Sequence, residues 1–418
     1  MDKLIIKGGS KISGSVNVHG SKYSALPIIV SSLLSVKTLK RSHVPTGVDV
    51  LNLIKLLKNY GVKIEHKKNK LKINPSKIKN LSADYDVVRK MRASILILGP
   101  LLSRFGEARI SLPGGCAIGT RPIDIHLAGL SKLGANFEIQ NGFVVGSVKS
   151  QLIGNKIKLP FPSVGATENI LMASVLAKGE TKISNAAREP EIEDLSNCLI
   201  KMGAKIEGHG TKTILVQGVT NLKKVEHEII SDRIVAGTYI IAALMLNSAL
   251  EINNFNTIYL KSLIDILKKM GAKLKVSKNS IKVFKGSKLK SSSLSTSPYP
   301  GFPTDLQAQL MSLMCISDGK SKIKETIFEN RFMHVPELNR LGANITVEKD
   351  TATIIGNQTF KGAQVMASDL RASISLVLAA MNANGQTTLN RVYHLDRGYE
   401  NIEKTLGSLG VKIKRKKN

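Results

Sequence analysis

The residue with the clearest capacity for chemistry is Cys116, in the glycine- and proline-rich stretch SLPGGCAIGTRP, Ser111 to Pro122. A loop cysteine can be a metal ligand, half of a disulfide, a nucleophile, a proton donor, or a residue without a chemical role. No CxxC, HxxxH or HExxH motif occurs, which argues against a protein zinc site. Cys198 and Cys315 lie on apolar helical patterns, so we predict that both are buried in the core.

Arg121 follows Cys116 by five residues, and the chain as a whole carries a formal net charge of +30. Positive surroundings favour the thiolate and place the thiol beside an anionic substrate. Nucleophile and proton donor both fit this setting, and a structural role for the cysteine stays open.

Basic side chains recur at two kinds of position. The first kind is at or near the start of a predicted apolar helix, and the second is a loop before a predicted amphipathic helix. An arginine at the mouth of an apolar helix is costly unless it meets an anion, and helix N-termini attract anions. The pattern predicts a cleft for phosphates and carboxylates, with pairing to Asp232, Asp305 and Asp369 as the alternative. The first kind comprises Lys22, Arg92, Arg233 and Arg371, and the second comprises Arg121, Arg331 and Arg397.

Two carboxylates open buried helices in the second half of the chain. Asp305 follows GFPT at the start of the fifth predicted apolar helix, and Asp369 begins the sixth. A carboxylate at this position is most often a helix cap. Facing a cationic cleft, the two could instead serve as general bases.

The elements that must position these residues repeat along the chain. Six amphipathic helical patterns each end at a glycine that is followed by a strand-like alternation, and the spacing between these glycines is 68 to 73 residues. A glycine at this place fits the left-handed position that ends a helix. The glycines are Gly61, Gly134, Gly203, Gly271, Gly342 and Gly410.

A second, more apolar helix precedes each amphipathic one, as in DRIVAGTYIIAALML and DLRASISLVLAAM. Helices that are apolar nearly all round should be buried. We therefore predict an α/β protein of six repeats of about 70 residues, three per domain, with apolar helices inside and sheets outside. The strands KLIIKGG and GSVNVHG precede the first helix, and their pairing with either half stays open.

Composition narrows the class of protein. The chain has 418 residues and 42% hydrophobic content, enough for two domains with separate cores. The N-terminus lacks the apolar run of a signal peptide, and the longest apolar stretch, Val235 to Leu246, is too short to span a bilayer. We therefore expect a cytoplasmic protein without membrane insertion.

The formal net charge is +30, which by itself is typical of nucleic-acid binding. The basic residues are mostly lysines spread over the whole length, and aromatic residues make up only 4%, with no tryptophan. Stacking platforms for single strands are therefore scarce. We predict no nucleic-acid partner; anionic small substrates or a lysine-rich solvated surface account for the charge equally well.

Eight ordered motifs resemble the UDP-N-acetylglucosamine 1-carboxyvinyltransferase family of enolpyruvyl transferases over essentially the whole chain. They are MRAS (91–94), LPGGCAIGTRPIDIH (112–126), SVGAT (163–167), NAAREPEI (185–192), FPTDLQAQ (302–309), FENRFMHVPEL (328–338), DLRAS (369–373) and HLDRGYENIE (394–403). The resemblance implies a two-domain inside-out α/β barrel. Its first domain would span residues 22–229, and its second would combine residues 1–21 with 230–418. The active cleft would lie between the domains.

The resemblance also implies the reaction. Phosphoenolpyruvate would give its enolpyruvyl group to the 3′-hydroxyl of UDP-N-acetylglucosamine with release of phosphate, as the first step of peptidoglycan synthesis. The route would be addition followed by elimination through a tetrahedral intermediate. No cofactor and no metal are implied, and we make no prediction of oligomeric state.

Site roles carry over where the residues match. Cys116 would be the proton donor, able to bond covalently to phosphoenolpyruvate and to be alkylated by fosfomycin. Lys22, Arg121 and Arg397 would clamp phosphoenolpyruvate, Asp305 would be the base, and Asp369 a second candidate for proton transfer. The expected substrate-binding positions are Lys22, Tyr23, Arg92, Arg121, Pro122, Ile123, Asp124, Ile125, Phe161, Ser163, Val164, Gly165, Asp305, Ile327, Arg331 and Arg371.

Three positions depart from the family pattern. Tyr23 replaces an asparagine after the clamp lysine, Val48 replaces a common lysine, and Phe161 replaces a basic residue, which removes one charge from the diphosphate site. Two explanations of the departures compete: an active enzyme with weakened UDP-sugar binding, or a functionally drifted member that binds a UDP-sugar or a different acceptor without efficient transfer. Three rival functions are considered besides: the sister enzyme acting on shikimate 3-phosphate, a non-catalytic binder that senses a UDP-sugar, and a nucleic-acid module. Cys116 and NAAREPEI argue against the sister enzyme.

Overall fold

The structure, a computed structural model, describes residues 2–79, 81–83, 91–112 and 123–417, with the side chain of Arg92 left aside. It divides into two compact units. The central unit runs from Gly20 to Ile230, and the terminal unit combines the residues up to His19 with those from Ser231 onward. Within the described ranges, no helix is both long enough and apolar enough to cross a membrane.

In the described part of each unit, buried apolar helices alternate along the chain with amphipathic helices. In the central unit the helices are Lys22–Val30, Val48–Asn59, Leu98–Phe105, Asp124–Lys132, Val164–Ser174 and Pro190–Lys201. In the terminal unit they are Arg233–Met245, Lys261–Lys269, Gln307–Ile316, Val335–Arg340, Leu370–Asn382 and Ile402–Ser408. Five short 3-10 segments adjoin them at Ser31–Leu34, Arg92–Ile97, Thr257–Leu260, Thr304–Leu306 and Val392–Arg397.

Buried helices form the centre of each unit. Every residue of Arg233–Met245 is buried, as are the first twelve residues of Leu370–Asn382. Gln307–Ile316 packs against both of them. Gly237 allows a close approach, because an added Cβ would lie 2.9 Å from a methyl carbon of Leu306. The apolar patterns correctly predicted burial, and each unit has its own hydrophobic core.

The helix-ending glycines stand where the sequence predicts them. Gly61, Gly134 and Gly203 have φ of 94°, 100° and 105°, and Gly271, Gly342 and Gly410 have φ of 95°, 100° and 114°. Each lies two residues beyond the last residue of an amphipathic helix. This left-handed conformation costs glycine little because it lacks a Cβ. The prediction for all six positions is confirmed.

The described strands form six four-stranded sheets with one shared pattern: a parallel outer pair followed by two antiparallel pairings. In the central unit the strand orders are Glu226–Glu228, Leu39–Ser42, Lys70–Asn74, Lys63–Lys67; Ser82–Ala83, Glu107–Ser111, Phe143–Val148, Ala135–Gln140; and Lys156–Lys158, Glu180–Ser184, Thr213–Gln217, Lys205–Glu207. In the terminal unit they are Ser15–Asn17, Leu250–Asn253, Ser280–Val283, Leu274–Val276; Ser293–Ser295, Lys320–Lys324, Thr351–Ile355, Asn344–Glu348; and Gln364–Met366, Gln386–Asn390, Lys3–Lys7, Lys412–Lys416.

The first two strands of the chain, whose pairing the sequence left open, both join sheets of the terminal unit. Lys3–Lys7 lies between Gln386–Asn390 and Lys412–Lys416 and is antiparallel to both. Ser15–Asn17 pairs in parallel with Leu250–Asn253. The terminal unit is therefore assembled from the two ends of the described chain.

Candidate active site

The terminal unit gathers a carboxylate and two guanidinium groups in direct contact. Asp305 Oδ1 accepts a hydrogen bond from Arg331 Nη2 at 2.6 Å, and its Oδ2 accepts one from Arg371 Nη2 at 2.9 Å. The Asp305 side chain is 22% exposed, whereas the two arginine side chains are 4% and 5% exposed. Two buried cations thus hold one partly accessible carboxylate in place through charge-assisted hydrogen bonds.

Asp305 does not cap the helix, as a carboxylate at a helix start usually does. It lies in the 3-10 segment Thr304–Leu306, and the α-helix begins only at Gln307. Its carboxylate oxygens take guanidinium N–H groups, and no side-chain cap bond forms at this helix end. Pairing with Asp305, the alternative to a free anion site, therefore occurs at both Arg331 and Arg371.

Asp369 and Asp232 take the ordinary capping role instead. Asp369 Oδ1 accepts hydrogen bonds from the backbone N–H groups of Arg371 at 2.8 Å and Ala372 at 3.2 Å. Asp232 accepts from Ile234 and Val235 in the same manner. One carboxylate oxygen of Asp369 is thereby committed to its helix.

Two histidines lie in the electrostatic field of Asp369. Burial lowers the pKa of His334 to about 4; the charge of Arg331 acts in the same direction, and Asp369 opposes it. Burial also lowers the pKa of His394, with Arg397 adding to the effect. Both imidazoles are therefore neutral at pH 7. His334 Nε2 is buried without a hydrogen-bond partner in the described part of the chain.

Glu325 organises the loop that carries Ile327. Its Oε1 accepts hydrogen bonds from Thr296 Oγ1 and the N–H of Ile327, both at 2.9 Å, while its Oε2 accepts one from Thr304 Oγ1 at 2.9 Å. The loop of Ile327 and the segment of Asp305 are therefore tied to one buried carboxylate. Sequence reasoning missed Glu325, which lies in none of the eight motifs, and gave no role to His334, which lies within FENRFMHVPEL.

In the central unit, Lys22 is the first residue of a buried helix. Its Nζ lies 3.2 Å from Asp49 Oδ2 and 4.5 Å from the centre of the Tyr23 ring. The side chains of Lys22 and Asp49 are 7% and 4% exposed. The aromatic ring of Tyr23 thus lies within cation–π distance of the Lys22 ammonium group.

Two helix starts in the central unit carry the expected UDP-sugar residues. Ile123 precedes the helix Asp124–Lys132, and Ser163 caps the helix Val164–Ser174 by accepting a hydrogen bond from Ala166 N–H. The two helices are tied by a 3.2 Å contact between Asn169 Nδ2 and His126 Nδ1.

Gly165 lies against the same histidine, because an added Cβ would be 3.1 Å from His126 Cε1. Ile125, Ser163, Val164 and Gly165 therefore lie close to one paired helix start, and Asp124 is exposed there. Phe161 is 56% exposed and Val48 is 39% exposed, so both departures from the family pattern reach solvent.

Four of the predicted site residues lie partly or wholly outside the described part of the chain. Cys116, Arg121 and Pro122 lie outside the described residues, and Arg92 is described only as the first residue of the 3-10 segment Arg92–Ile97. Cys198 and Cys315 are free and fully buried, as predicted. In the portions that are described, no group of three or more His, Cys, Asp or Glu side chains could hold a metal ion.

Comparison with known proteins identifies the family. Residues 6–406 match the family described as EPSP synthase (3-phosphoshikimate 1-carboxyvinyltransferase). The UDP-N-acetylglucosamine 1-carboxyvinyltransferase of Pelagibacter ubique is 50% identical over 415 residues, which cover 99% of this chain and 100% of that protein. The protein of the same name from Geotalea daltonii is 51% identical, with 99% of each chain covered.

Solved structures agree in fold. The enolpyruvyl transferase NikO from Streptomyces tendae superposes with a TM-score of 0.91 at 24% identity, covering 99% of this chain and 98% of that one. An EPSP synthase from Acinetobacter baumannii gives a TM-score of 0.78 at 20% identity, with both chains fully covered. At these identities the likeness establishes the α/β fold alone. The full-length identity of about one half establishes more: the chain belongs to the enolpyruvyl transferase family and, within it, to the UDP-N-acetylglucosamine 1-carboxyvinyltransferases.

Proposed function

We propose that this chain transfers the enolpyruvyl group of phosphoenolpyruvate to the 3′-hydroxyl of UDP-N-acetylglucosamine and releases inorganic phosphate, as the first step of peptidoglycan synthesis. The observation that carries this proposal is the identity of about one half, over the full length, with proteins bearing that name. The likeness to the shikimate 3-phosphate enzyme is far weaker, at 20% identity.

Asp305 is the proposed general base for the sugar hydroxyl. Its contacts with Arg331 and Arg371 fix the position of the carboxylate, the type of group that can accept a proton from a hydroxyl. Because each carboxylate oxygen already accepts a guanidinium N–H, the hydroxyl would approach from the exposed side of the Asp305 side chain. Arg331 and Arg371 also supply preorganised positive charge for the anionic substrates.

The donor is held by a proposed clamp of Lys22, Arg121 and Arg397, with Cys116 giving the proton to the enol carbon. Proton addition creates a cationic centre, the hydroxyl attacks it, and loss of a proton then accompanies departure of phosphate. Asp369, with one oxygen held by its helix, is the second candidate for proton transfer. The neutral imidazole of His334 beside it keeps further positive charge away from this carboxylate.

The acceptor nucleotide is proposed to bind at the paired helix start of the central unit, where Ser163, Val164 and Gly165 meet the helix of Asp124 and Ile125. Backbone N–H groups at helix N-termini suit a diphosphate. Ile123, Arg92, Arg121, Pro122, Ile327, Tyr23 and Phe161 complete the proposed set. No cofactor takes part in this reaction scheme.

The architecture proposed with this function is an inside-out α/β barrel in each unit. The shared strand pattern of the six sheets and the burial of the central helices support six copies of one repeat of about 70 residues, three in each domain. We propose further that the protein acts in the cytoplasm, serves cell-wall growth, cell shape and division, and is inactivated when fosfomycin alkylates Cys116.

The deciding experiment measures phosphate release from phosphoenolpyruvate with UDP-N-acetylglucosamine, with shikimate 3-phosphate, and without acceptor. We expect release only with the UDP-sugar, and its loss in Cys116→Ala. Cys198→Ala is the matched control, because Cys198 is fully buried in the core and should leave the rate intact.

Release with shikimate 3-phosphate would assign the sister activity. Binding of the UDP-sugar by folded protein without any release would instead identify a drifted member, and Tyr23, Val48 and Phe161 would then be the first positions to revert.

A further inference from the structure

A buried carboxylate outside the proposed site joins three parts of the central unit. Asp194 lies on the helix Pro190–Lys201 and is 4% exposed. Its Oδ1 accepts a hydrogen bond from His227 Nε2 at 2.8 Å. Its Oδ2 accepts hydrogen bonds from Ser24 Oγ and from the backbone N–H of Ile230, the latter at 3.2 Å.

The donors come from the two ends of the central unit. Ser24 is the third residue of the helix that Lys22 begins, and Ile230 is the last residue of the unit. The two ends also bond to each other, because the N–H of Ser21 donates to the carbonyl of Ile230 at 2.7 Å. Asp194 therefore fixes the first turn of the Lys22 helix against the segment that leaves the unit.

The contacts of Asp194 cannot be replaced by water at low cost. Ser24 is fully buried, and His227 is 5% exposed. Removing the acceptor would leave buried donors without partners, which is more expensive than losing an exposed contact. Since a carboxylate only accepts hydrogen bonds, Nε2 of His227 must carry a hydrogen.

A cation stands beside this pair. Arg41 lies opposite His227 in the parallel pairing of Leu39–Ser42 with Glu226–Glu228, and it is 1% exposed. Its guanidinium donates to the carbonyl of Lys40 at 3.0 Å, and its Nε has no partner in the described ranges. The buried charge of Arg41 thus adds long-range stabilisation to the Asp194 carboxylate.

We propose that Asp194 is a positioning residue for enolpyruvyl transfer, acting through Ser24 and Ile230 to hold the first turn of the helix that presents Lys22. This rests on the proposed function, in which Lys22 binds phosphoenolpyruvate. Lys22 itself is anchored from the other side by Asp49, at 3.2 Å. Without Asp194, the Lys22 ammonium group would still be paired with Asp49, but the backbone turn that carries Lys22 would be less firmly held.

The test compares steady-state constants for both substrates in the full-length protein. Asp194→Asn cannot accept from all three donors, and we expect it to raise the KM for phosphoenolpyruvate about tenfold while the KM for UDP-N-acetylglucosamine changes less than about twofold. Ser24→Ala removes one donor and should raise the same constant about threefold. His227→Gln keeps a terminal N–H near the position of Nε2 and should behave much more like wild type than His227→Ala.

Ser196→Ala is the matched control. Ser196 is a buried hydroxyl on the same helix, and it donates only to the carbonyl of Ile192, at 2.8 Å. Its removal should change neither constant. If Asp194→Asn fails to fold, Ser24→Ala and His227→Gln still decide the question.

Hydrogen exchange gives a readout that does not depend on activity. The amides of Ser24 and Ile230 should exchange faster in Asp194→Asn or Ser24→Ala than in wild type, and at an unchanged rate in Ser196→Ala. Unchanged exchange at both amides, or a fall in activity that merely follows the loss of folded protein in urea, overturns the positioning role. Wild-type protein that releases no phosphate with UDP-N-acetylglucosamine overturns the proposed function instead, and the exchange experiment still stands.

Discussion

The two units differ in how their charged side chains are arranged. In the terminal unit, one carboxylate and two arginines contact one another directly, and Glu325 braces the neighbouring loop. In the central unit, Lys22 is paired with Asp49, and the expected nucleotide residues lie at helix starts joined through His126 and Asn169. The terminal unit thus contains a preassembled ion cluster, which we propose as the acid–base centre, whereas the proposed anion-binding residues of the central unit lie in separate places.

The departures from the family pattern follow the same division. Tyr23, Val48 and Phe161 all belong to the central unit, where the proposed binding of anions would depend on individual charges and helix ends. None belongs to the Asp305 centre. A site whose parts act separately tolerates loss of one part with weaker binding, whereas a centre whose groups hold one another fails as a whole.

The largest effect should come from the base itself. Asp305→Asn removes the charge that accepts the proton and leaves two buried guanidinium groups without their anion. We expect kcat to fall by about 10²- to 10⁴-fold in the phosphate-release assay. Asp318→Asn, at an exposed aspartate of the same unit, should leave kcat unchanged. A fall of less than about tenfold for Asp305→Asn would move the base role to Asp369.

Loss of one holding group should cost less than loss of the base. Arg331→Lys keeps the charge but loses the planar fork that reaches Asp305 Oδ1 at 2.6 Å. We expect kcat/KM to fall roughly 10- to 100-fold through misplacement of the carboxylate. Arg340→Lys is the control, because Arg340 is 62% exposed and lies 3.8 Å from Glu337. Equal rates in both variants would show that the Asp305 centre does not need the fork.

A gain of function in the central unit would sharpen the contrast. Phe161→Lys places a cation at an exposed position beside the Ser163 helix start, and we expect the KM for UDP-N-acetylglucosamine to fall by up to about tenfold at low salt. The gain should shrink as ionic strength rises. Phe284→Lys, at a 40% exposed phenylalanine of the terminal unit, should have no such effect. An unchanged KM in Phe161→Lys would mean that the diphosphate does not pass this position.

The smallest expected effects concern the free energy of unfolding. Its dependence on pH has opposite signs for one buried group in each unit. Burial raises the pKa of Glu168 in the central unit well above its usual value, and Glu191 and Glu189 add to the rise. The folded state then holds a proton that the unfolded state releases, so this contribution to stability falls as pH rises above about 4.3. Burial lowers the pKa of His334 from 6.5 to about 4, so the terminal unit loses stability as pH falls through that interval.

Thermal unfolding between pH 4 and pH 8 checks both signs. Glu168→Gln should raise Tm relative to wild type by an amount that grows with pH, at roughly 2–4 °C for each kcal/mol gained. His334→Asn should lessen the loss of Tm on acidification. A constant difference across the pH range in either variant contradicts the assigned titration.

Local features of this structure were predictable from sequence, and long-range contacts were not. The six helix-ending glycines, the buried Cys198 and Cys315, and the cations at helix starts all follow from periodicity and residue type. The contacts of Asp305 join residues 26 and 66 positions away, and Ser24 lies 170 positions from Asp194. Such pairs depend on how helices pack, and no local pattern encodes them. The same is true of the strand Lys3–Lys7, whose partners stand near the opposite end of the chain.

That strand has a consequence for how the chain folds during synthesis. The central unit lies between Gly20 and Ile230, so the ribosome has delivered it before most of the terminal unit exists. Lys3–Lys7 must wait until Gln386–Asn390 and Lys412–Lys416 emerge, because it takes the place between them. Closing so long a loop is slow and leaves unpaired strand edges exposed in the meantime. Lys412–Lys416 thus completes the sheet that holds Lys3–Lys7, and a nascent chain that stops short of it leaves that sheet incomplete.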